Sequence, residues 1–397
     1  MRKTILLSLS LLFVAAPLAP AAVRHVPSQY AAIQMAISDC NDGDVVIVEP
    51  GIYYETINFI GKDIFVTSID PNDPEVVAET IIDADYDGTV VTFENGEGPD
   101  AVLTGFTITG GYGTLNTFLS PEVRIFWGAG IYCYRSDPDI EHNVISGNSA
   151  SGGGTAIHLI EPSSAKIERN TIHGHSGSAA VVLYSSSVGG DFRVTNNTVS
   201  NNQADGIRYF GGPWCFESNL VTNNEGFGIF TLQGVGHFLH NDVWGNGRDG
   251  DTLDYHGLED DPTGIDGNIS ADPIFGNPPH GNFHLCLDSP CIDAGDPSAS
   301  VPPKGGRRID MGAFEYTHPD ARSGDVNRDG YIDYGDISHL VKLLSGTVPP
   351  PDPREIADVN CDEEIDRRDL GHLYRFLYYY GEEPCSDFKA KDRLTER

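Results

Sequence analysis

Polar and apolar positions repeat along the middle of the chain, roughly between residues 100 and 250. Five segments each place an Asn two residues before a Val or Ile, and these Asn residues are 27, 27, 22 and 22 positions apart. The five Asn residues are Asn143, Asn170, Asn197, Asn219 and Asn241. A period of about 20 to 30 residues is typical of solenoids, in which each repeat forms one turn that stacks on the next. The pattern therefore predicts a solenoid over the body of the chain.

The repeated segments are short, rich in β-branched residues and separated by Gly, which favours strands over helices. A second polar position follows each Asn by five residues, at Asn148, His175, Asn202, Asn224 and Asn246. An apolar marker precedes each Asn, at Ile131, Ile157, Val181, Ile207 and Ile229. Equivalent Asn residues on successive turns predict a stacked amide ladder at the strand spacing of about 4.8 Å. We expect these Asn residues to be scaffold and not chemistry.

Side chains alternate along a strand, so the positions at odd offsets from the apolar markers are assigned to the outer face of the solenoid. One outer column contains Tyr132, His158, Val182, Arg208 and Phe230, and the next contains Tyr134, Ile160, Tyr184, Phe210 and Leu232. Exposed apolar surface of this size marks a contact site, and sugar rings stack on aromatic side chains. We predict substrate binding at Tyr132, Tyr134, Tyr184, Phe210 and Phe230, with His158 and Arg208 as candidates for proton transfer or carboxylate binding. The alternative is that residues 112–127 fold over this face and bury it.

The start of the chain has the features of an export signal. Arg2 and Lys3 precede the apolar run 5–16 and the small residues 19–21, which predicts a signal peptide over residues 1–21. This run is too short to span a membrane, and we expect a secreted protein with no transmembrane segment. Residues 26–37 are predicted to form a short helix with Ser28 as its N-cap, which covers the first open turn of the solenoid.

Charge and cysteine content limit the partners and the cross-links. The chain has 58 acidic and 25 basic residues, a net charge of −33, which excludes nucleic acid as a partner. Seven Cys residues allow disulfides in an exported protein but do not form a dense framework. Cys286 and Cys291 are the best local candidates for a disulfide.

Two acidic loops near the C-terminus have the spacing of a calcium site and begin 33 residues apart. Calcium takes about six to eight oxygen ligands from a short, sharply turning loop. Oxygen-bearing side chains occupy loop positions 1, 3, 5, 9 and 12 in both copies. They are Asp325, Asn327, Asp329, Asp333 and Asp336 in the first loop, and Asp358, Asn360, Asp362, Asp366 and Asp369 in the second. An apolar helical run follows each loop, so we predict a small all-α calcium-binding module.

The paired loop–helix repeats resemble a type I dockerin over residues 324–382, because position 12 is Asp and no entering helix precedes either loop. The resemblance implies Ca²⁺ as cofactor and a cohesin-type domain as partner, which would attach the protein to a scaffold or cell surface. Loop position 6, usually Gly, is Glu363 in the second loop, which predicts a weaker calcium site there. The partner-reading positions 10 and 11 hold Tyr334 and Gly335, then Arg367 and Arg368.

The opening segment, the Asn repeats and the closing segments 268–275, 289–295 and 310–315 resemble secreted bacterial right-handed parallel β-helix proteins of the pectin-lyase-like superfamily. The predicted architecture is an all-β, right-handed parallel β-helix with an N-terminal capping helix over residues 22–316. A linker over 317–323, the dockerin over 324–382 and a tail over 383–397 follow it.

The two resemblances together imply a polysaccharide-associated protein, with glycan binding or degradation on the solenoid face. A lyase or a glycoside hydrolase is one option, but a pectate lyase needs an Asp cluster, and no Asp column lies beside Arg208. A hydrolase needs two carboxylates about 5–10 Å apart, and Asp205 and Glu225 are not convincingly paired. A pectin methylesterase needs two Asp and Gln on the face, where only Gln233 is available. Catalysis is therefore left open, and the alternative is a non-catalytic adhesion or structural surface protein.

Overall fold

A computed structural model describes residues 20–116, 125–187, 189–248, 253–302, 306–316, 322–351, 354–362, 364–379 and 383–385. Residues 1–19 of the predicted signal peptide lie outside these ranges, as do Glu363 and most of the predicted linker and tail. Within the described residues, no helix is long and apolar enough to cross a membrane.

The body of the molecule is a parallel β-solenoid, as predicted. Its turns build three sheets. Sheet 1 consists of Val23–Val26, Val45–Val48, Phe65–Ser68, Val102–Thr104, Asp139–Glu141, Ser164–Glu168, Asp191–Thr195, Pro213–Glu217 and Val235–Leu239. Sheet 2 consists of Gly51–Tyr54, Thr80–Asp83, Thr107–Thr109, Val144–Ser146, Thr171–His173, Thr198–Ser200, Leu220–Thr222 and Asp242–Trp244. Sheet 3 consists of Ile57–Asn58, Val91–Phe93, Ile131–Tyr134, Ile157–Ile160, Ser176–Ser185, Gln203–Gly211, Ile229–Thr231 and Tyr255–His256.

The described residues also form two antiparallel hairpins and four α-helices. One hairpin pairs Thr114–Asn116 with Ile125–Trp127, and the terminal hairpin pairs Phe275–Asn277 with Asn282–Leu285. The helices are α1 (Ile33–Asp39), α2 (Pro74–Glu79), α3 (Tyr334–Leu344) and α4 (Arg367–Tyr379), with 3-10 turns at Pro278–His280 and Arg354–Ala357.

The predicted register is confirmed in sheet 3, where the five apolar markers stack in one inward column. Each marker is at most 1% exposed, and the core continues as a single cluster along the solenoid. Burying a side chain such as Ile in this column contributes about 1.5–3 kcal/mol, which explains why all five of its positions are apolar.

The two polar ladders are also confirmed. The Nδ2 of Asn143 donates to Oδ1 of Asn170 at 3.1 Å, and the pattern continues through each repeat to Asn268. The second ladder ends when Asn246 Nδ2 donates to Oδ1 of Asp254 at 3.0 Å. These side chains satisfy buried backbone groups at the corners, where the chain leaves one sheet and enters the next.

The capping helix is confirmed, but its predicted start was wrong. Helix α1 begins at Ile33 and not near Ser28, because the carboxylate of Glu55 accepts hydrogen bonds from the backbone nitrogens of Ile33 and Gln34. Sheet 1 already starts at Val23, ahead of this helix. The buried face of α1 joins the solenoid core and covers its first turn.

The predicted Cys286–Cys291 pair was also wrong. Both thiols are free and buried, and Cys291 Sγ donates to Oδ2 of Asp242 at 3.2 Å, so its sulfur is held by the last turn of sheet 2. The disulfide joins Cys361 to Cys385 instead. It ties the chain beyond α4 back to the second acidic loop.

The C-terminal module consists of the two acidic loops and helices α3 and α4, which pack on each other. Both helices contain the predicted apolar runs, but they start inside the loops, at loop position 10, and not after them. The small core contains Val326, Ile337, Leu340, Ala357, Val359 and Leu373.

Candidate functional site

The outer face of sheet 3 has the predicted column of aligned side chains. Tyr132, His158, Val182, Arg208 and Phe230 are register partners on successive strands, and His256 extends the column by one turn. Tyr134, Ile160, Tyr184 and Phe210 form the second column. The structure therefore brings together all seven side chains that the sequence selected for this face.

The hairpin at Thr114–Asn116 and Ile125–Trp127 covers one end of this face. The ring of Trp127 lies 5.0 Å from the ring of His158, centroid to centroid. His158 is 4% exposed, its Nδ1 has no hydrogen-bond partner within the described residues, and burial lowers its pKa to about 3. At neutral pH His158 is therefore an uncharged imidazole covered by Trp127. At this end of the face, the sequence-based alternative, in which the outer face is buried, applies.

The other end of the face is open. Tyr184 is 42% exposed and Leu232 68% exposed, while Phe210 and Phe230 are partly exposed. His256 stacks on the ring of Phe230 with the planes 7° apart. This end therefore offers a continuous aromatic surface to solvent.

Arg208 lies within this open end and is held by a carboxylate. Its Nε donates to Oδ2 of Asp205 at 2.5 Å, and its guanidinium lies 5.3 Å from the centroid of Phe230. Asp205 is 6% exposed, and its other oxygen accepts from the nitrogen of Phe227 at 2.8 Å. Within the described residues, the two terminal nitrogens of Arg208 make no hydrogen bond. They can therefore donate to a ligand while Asp205 fixes the side chain.

Sequence analysis did not identify Asp205 as the partner of Arg208, nor Phe227 and His256 as part of the surface. Asp205 precedes Arg208 by three residues in the strand Gln203–Gly211. Simple alternation would place residues three apart on opposite faces. The pairing with the strand Ser176–Ser185 shifts register between Ser176 and Ala179, so the sheet is irregular beside Asp205.

Other polar residues of the solenoid do not join this surface. Glu225 is paired with Arg248, whereas Gln233 is exposed. His175 Nε2 lies 2.9 Å from the carbonyl of Ile145, within the second ladder, and His173 packs on the ring of Phe283. The acidic stretch 248–266 is only partly described, because residues 249–252 lie outside the described ranges.

The first acidic loop gathers its predicted ligands into a buried cluster. Asp325, Asn327, Asp329 and Asp336 are each at most 8% exposed. Asp336 Oδ1 accepts from the nitrogen of Asn327 and Oδ2 from that of Asp333, which closes the loop onto the start of α3. The geometry is that of a loop folded around a central point.

This cluster fits a hard divalent cation. Oδ1 of Asp325 is buried and has no donor in the part of the chain that the structure describes. Burial, and then repulsion from Asp329, raises the pKa of Asp325 to about 7, and burial raises the pKa of Asp336 well above its usual value. A cation with oxygen preference would relieve both effects.

The second loop repeats the backbone pattern but is more open. Asp369 accepts from the nitrogens of Asn360 and Asp366, as Asp336 does in the first loop. Here the guanidinium of Arg368 lies 2.8 Å from Oδ2 of Asp362 and 2.8 Å from Oδ2 of Asp366. An internal cation thus competes for two of the predicted calcium ligands.

Comparison with known families agrees with both halves of the molecule. Residues 81–246 match the right handed beta helix region, and residues 323–378 match the dockerin type I domain. The chain is a right-handed β-helix protein with a type I dockerin domain. No protein in a search of curated sequences matches the chain. A crystal structure of a pectate lyase is similar at 12% identity and a TM-score of 0.36, over 71% of this chain and 90% of the lyase, which bears on neither fold nor activity.

The first acidic loop of the dockerin packs against the terminal hairpin of the β-helix. Asn282 Nδ2 donates to Oδ2 of Asp329 at 2.9 Å and to Oδ2 of Asp333 at 3.1 Å. A Cβ on Gly335 would lie 2.6 Å from the carbonyl oxygen of Gly276, so the two backbones touch at that point. Loop positions 10 and 11 of the first repeat, Tyr334 and Gly335, therefore lie against the protein's own β-helix.

Proposed function

We propose that this secreted protein binds polysaccharide on the open end of sheet 3 and is attached by its dockerin to a cohesin-type domain on a scaffold or cell surface. The observation that carries the proposal is the exposed aromatic surface around Arg208. Aromatic faces stack on sugar rings, and an arginine fixed by one carboxylate presents its remaining donors in a rigid fork.

The surroundings of the two candidate catalytic residues favour glycan binding over catalytic turnover. His158 is covered by Trp127, and its low pKa makes it a poor base. Arg208 is paired with Asp205, so this carboxylate is engaged as a partner and is not offered as a second catalytic group. We retain His158 and Arg208 as catalytic candidates that the assay below can detect.

The net charge of −33 disfavours a polyuronate ligand unless cations screen the repulsion. We therefore expect stronger binding to neutral polysaccharides, with acidic ones bound only at high calcium or salt. A purely adhesive or structural surface protein is the competing function, and it predicts no saturable glycan binding at this face.

Affinity electrophoresis of the full chain in gels that contain neutral or acidic polysaccharide tests the glycan site. Phe230→Ala and Arg208→Gln should lose retardation, while Tyr54→Ala and Arg193→Gln should keep it. Tyr54 is an exposed aromatic residue on sheet 2, and Arg193 is an Arg paired to an Asp on sheet 1, so both match the changed residue in type.

The same samples should be followed for reducing ends and for unsaturated uronate. Turnover that depends on Arg208 or His158 would replace the binding proposal with an enzymatic one. Retention that is equal in all four variants would refute the site.

We expect the attachment to require calcium, because Asp325, Asp329 and Asp336 of the first loop are buried together. Titration of the full chain should show two calcium-binding events coupled to ordering of the module. A module equally folded in EDTA and in calcium would contradict the calcium proposal.

We place the cohesin contact on the second repeat, because Gly335 and Tyr334 of the first repeat face the terminal hairpin. Cohesin pull-down in calcium should fail for Arg367→Ala combined with Arg368→Ala and survive in Tyr334→Ala. The opposite result would assign the contact to the first repeat, and no capture by any type I cohesin would remove the partner proposal.

A further inference from the structure

Three side chains from distant parts of the sequence meet at the corner between sheets 1 and 2. Glu217 ends the strand Pro213–Glu217, His240 follows the strand on the next turn, and Asp296 belongs to the segment that follows the terminal hairpin. One ligand atom of each side chain lies within 4.8 Å of the other two, and all three residues are partly buried. The corner thus holds one imidazole and two carboxylates around a single point.

The hydrogen bonds of this group are incomplete. Nδ1 of His240 is shielded from solvent and has no partner within the described residues. The carboxylate of Glu217 likewise makes no hydrogen bond or ion pair with any described residue. Among the described residues, the carboxylate of Asp296 accepts hydrogen bonds only from Ser298, through the backbone nitrogen and the hydroxyl, both at 2.8 Å. A buried ring nitrogen without a partner costs free energy unless a ligand satisfies it.

The surrounding backbone holds the three groups in place. The nitrogen of Asp296 donates to Oγ of Ser218 at 2.9 Å, which ties the terminal segment to the turn that carries Glu217. Gly267 has φ +78°, and a Cβ there would lie 2.2 Å from Cδ2 of His240. The imidazole therefore packs directly on the backbone, and its orientation is fixed before any ligand binds.

The charges suit a divalent cation. A neutral imidazole has a lone pair that it can donate to a cation, and ionised carboxylates offer oxygen ligands. With both carboxylates ionised, the group carries two negative charges. The nearby Arg308 donates to backbone carbonyls of the terminal segment and leaves the carboxylates available.

We propose that Glu217, His240 and Asp296 bind one divalent transition-metal ion of the zinc or manganese class. A mixed set of imidazole nitrogen and carboxylate oxygen suits these ions, whereas calcium is bound by oxygen alone. Three protein ligands leave the remaining positions to water. The ion fastens the terminal segment, which leads into the dockerin, to the side of the β-helix.

The test uses the full chain in saturating calcium, so that the dockerin loops are filled before zinc or cobalt is added. Wild-type protein should bind one Zn²⁺ per chain by calorimetry, melt at higher temperature with zinc, and give a visible absorption band with Co²⁺. Glu217→Gln and His240→Asn should each lose the binding, the melting shift and the band. Asn is chosen because His240 has φ +55°, which Asn tolerates.

The control is His237→Asn, which changes an exposed histidine on the strand Val235–Leu239, just before His240, and should leave all three signals intact. Melting curves in calcium without zinc show whether each variant is folded, and Glu217→Gln provides an independent variant if His240→Asn is unstable. Absence of zinc binding to the folded wild type, or binding that persists unchanged in both variants, would overturn the proposal.

Discussion

The amide ladder makes a quantitative prediction at Asn197, which is fully buried between two neighbouring ladder residues. Its Nδ2 donates to the carbonyl of Ile167 at 2.8 Å, to that of Thr195 at 3.0 Å and to Oδ1 of Asn219 at 3.1 Å. Its Oδ1 accepts from the backbone nitrogen of Asn170 at 3.0 Å and from Nδ2 of the same residue at 3.1 Å. Five hydrogen bonds therefore depend on one side chain.

Asn197→Ala leaves the buried N–H of Asn170 without an acceptor, which costs about 1–3 kcal/mol. Loss of the remaining bonds adds roughly 1 kcal/mol for each one that no other group replaces. We expect the free energy of unfolding of the β-helix to fall by about 3–5 kcal/mol. Asn197→Asp keeps the shape but cannot donate to the two carbonyls, so it separates lost hydrogen bonds from the cavity left by alanine.

Urea unfolding followed by tryptophan fluorescence measures this loss, because the buried Trp214 belongs to the neighbouring turn of sheet 1. Asn95→Ala is the control, since Asn95 is exposed and its side chain makes one hydrogen bond of 3.3 Å. A loss below about 1 kcal/mol for both Asn197 variants would refute the reasoning, because it would place the ladder within the net value of a single ordinary hydrogen bond.

Three further predictions concern charge and cross-linking. Burial, and then two neighbouring carboxylates, raise the pKa of Glu141 to about 7 from an unfolded value of 4.5. The stability of the β-helix should therefore fall as the pH rises from 4.5 to 7. Thermal melts should show that Glu141→Gln stabilises the protein at about pH 7.5 and not at about pH 4.5. Reduction of Cys361–Cys385, with a sequence separation of 24, should destabilise the dockerin by about 3 kcal/mol, and Cys361→Ser should melt like the reduced wild type. Arg368→Gln should strengthen calcium binding at the second loop by calorimetry, because Arg368 competes for two ligands, whereas Arg367→Gln should not.

The parts of the fold that repeat were predictable from sequence, because each repeat is one turn of the same structure. The spacing of Asn197 and its equivalents predicted the stacked turns, and alternation from Ile157 predicted which side chains point inward and which outward. Only local pattern was needed, since in a parallel solenoid each turn contacts its two neighbours in register.

Features that depend on contacts between distant segments were not predictable. Glu55 caps helix α1 from the turn between two later strands, Cys385 reaches Cys361 after a helix, and Asp205 meets Arg208 beside an irregularity in the sheet. The cover that Trp127 places over His158 was considered but could not be assigned to one end of the face. In each case the partner is fixed by tertiary packing and not by periodicity.

The position of the dockerin supports sheet 3 as the binding surface. The segment that links it to the solenoid packs on sheet 2, where Phe283 contacts His173 and the nitrogen of Ala313 donates to Oγ1 of Thr198. The corner beside sheet 1 is covered as well, by Asp296 on Ser218. A protein attached through its dockerin thus commits sheet 2 and this corner to the attachment. The outer faces of sheets 1 and 3 remain exposed, so the proposed polysaccharide site at the open end of sheet 3 stays accessible in the attached protein.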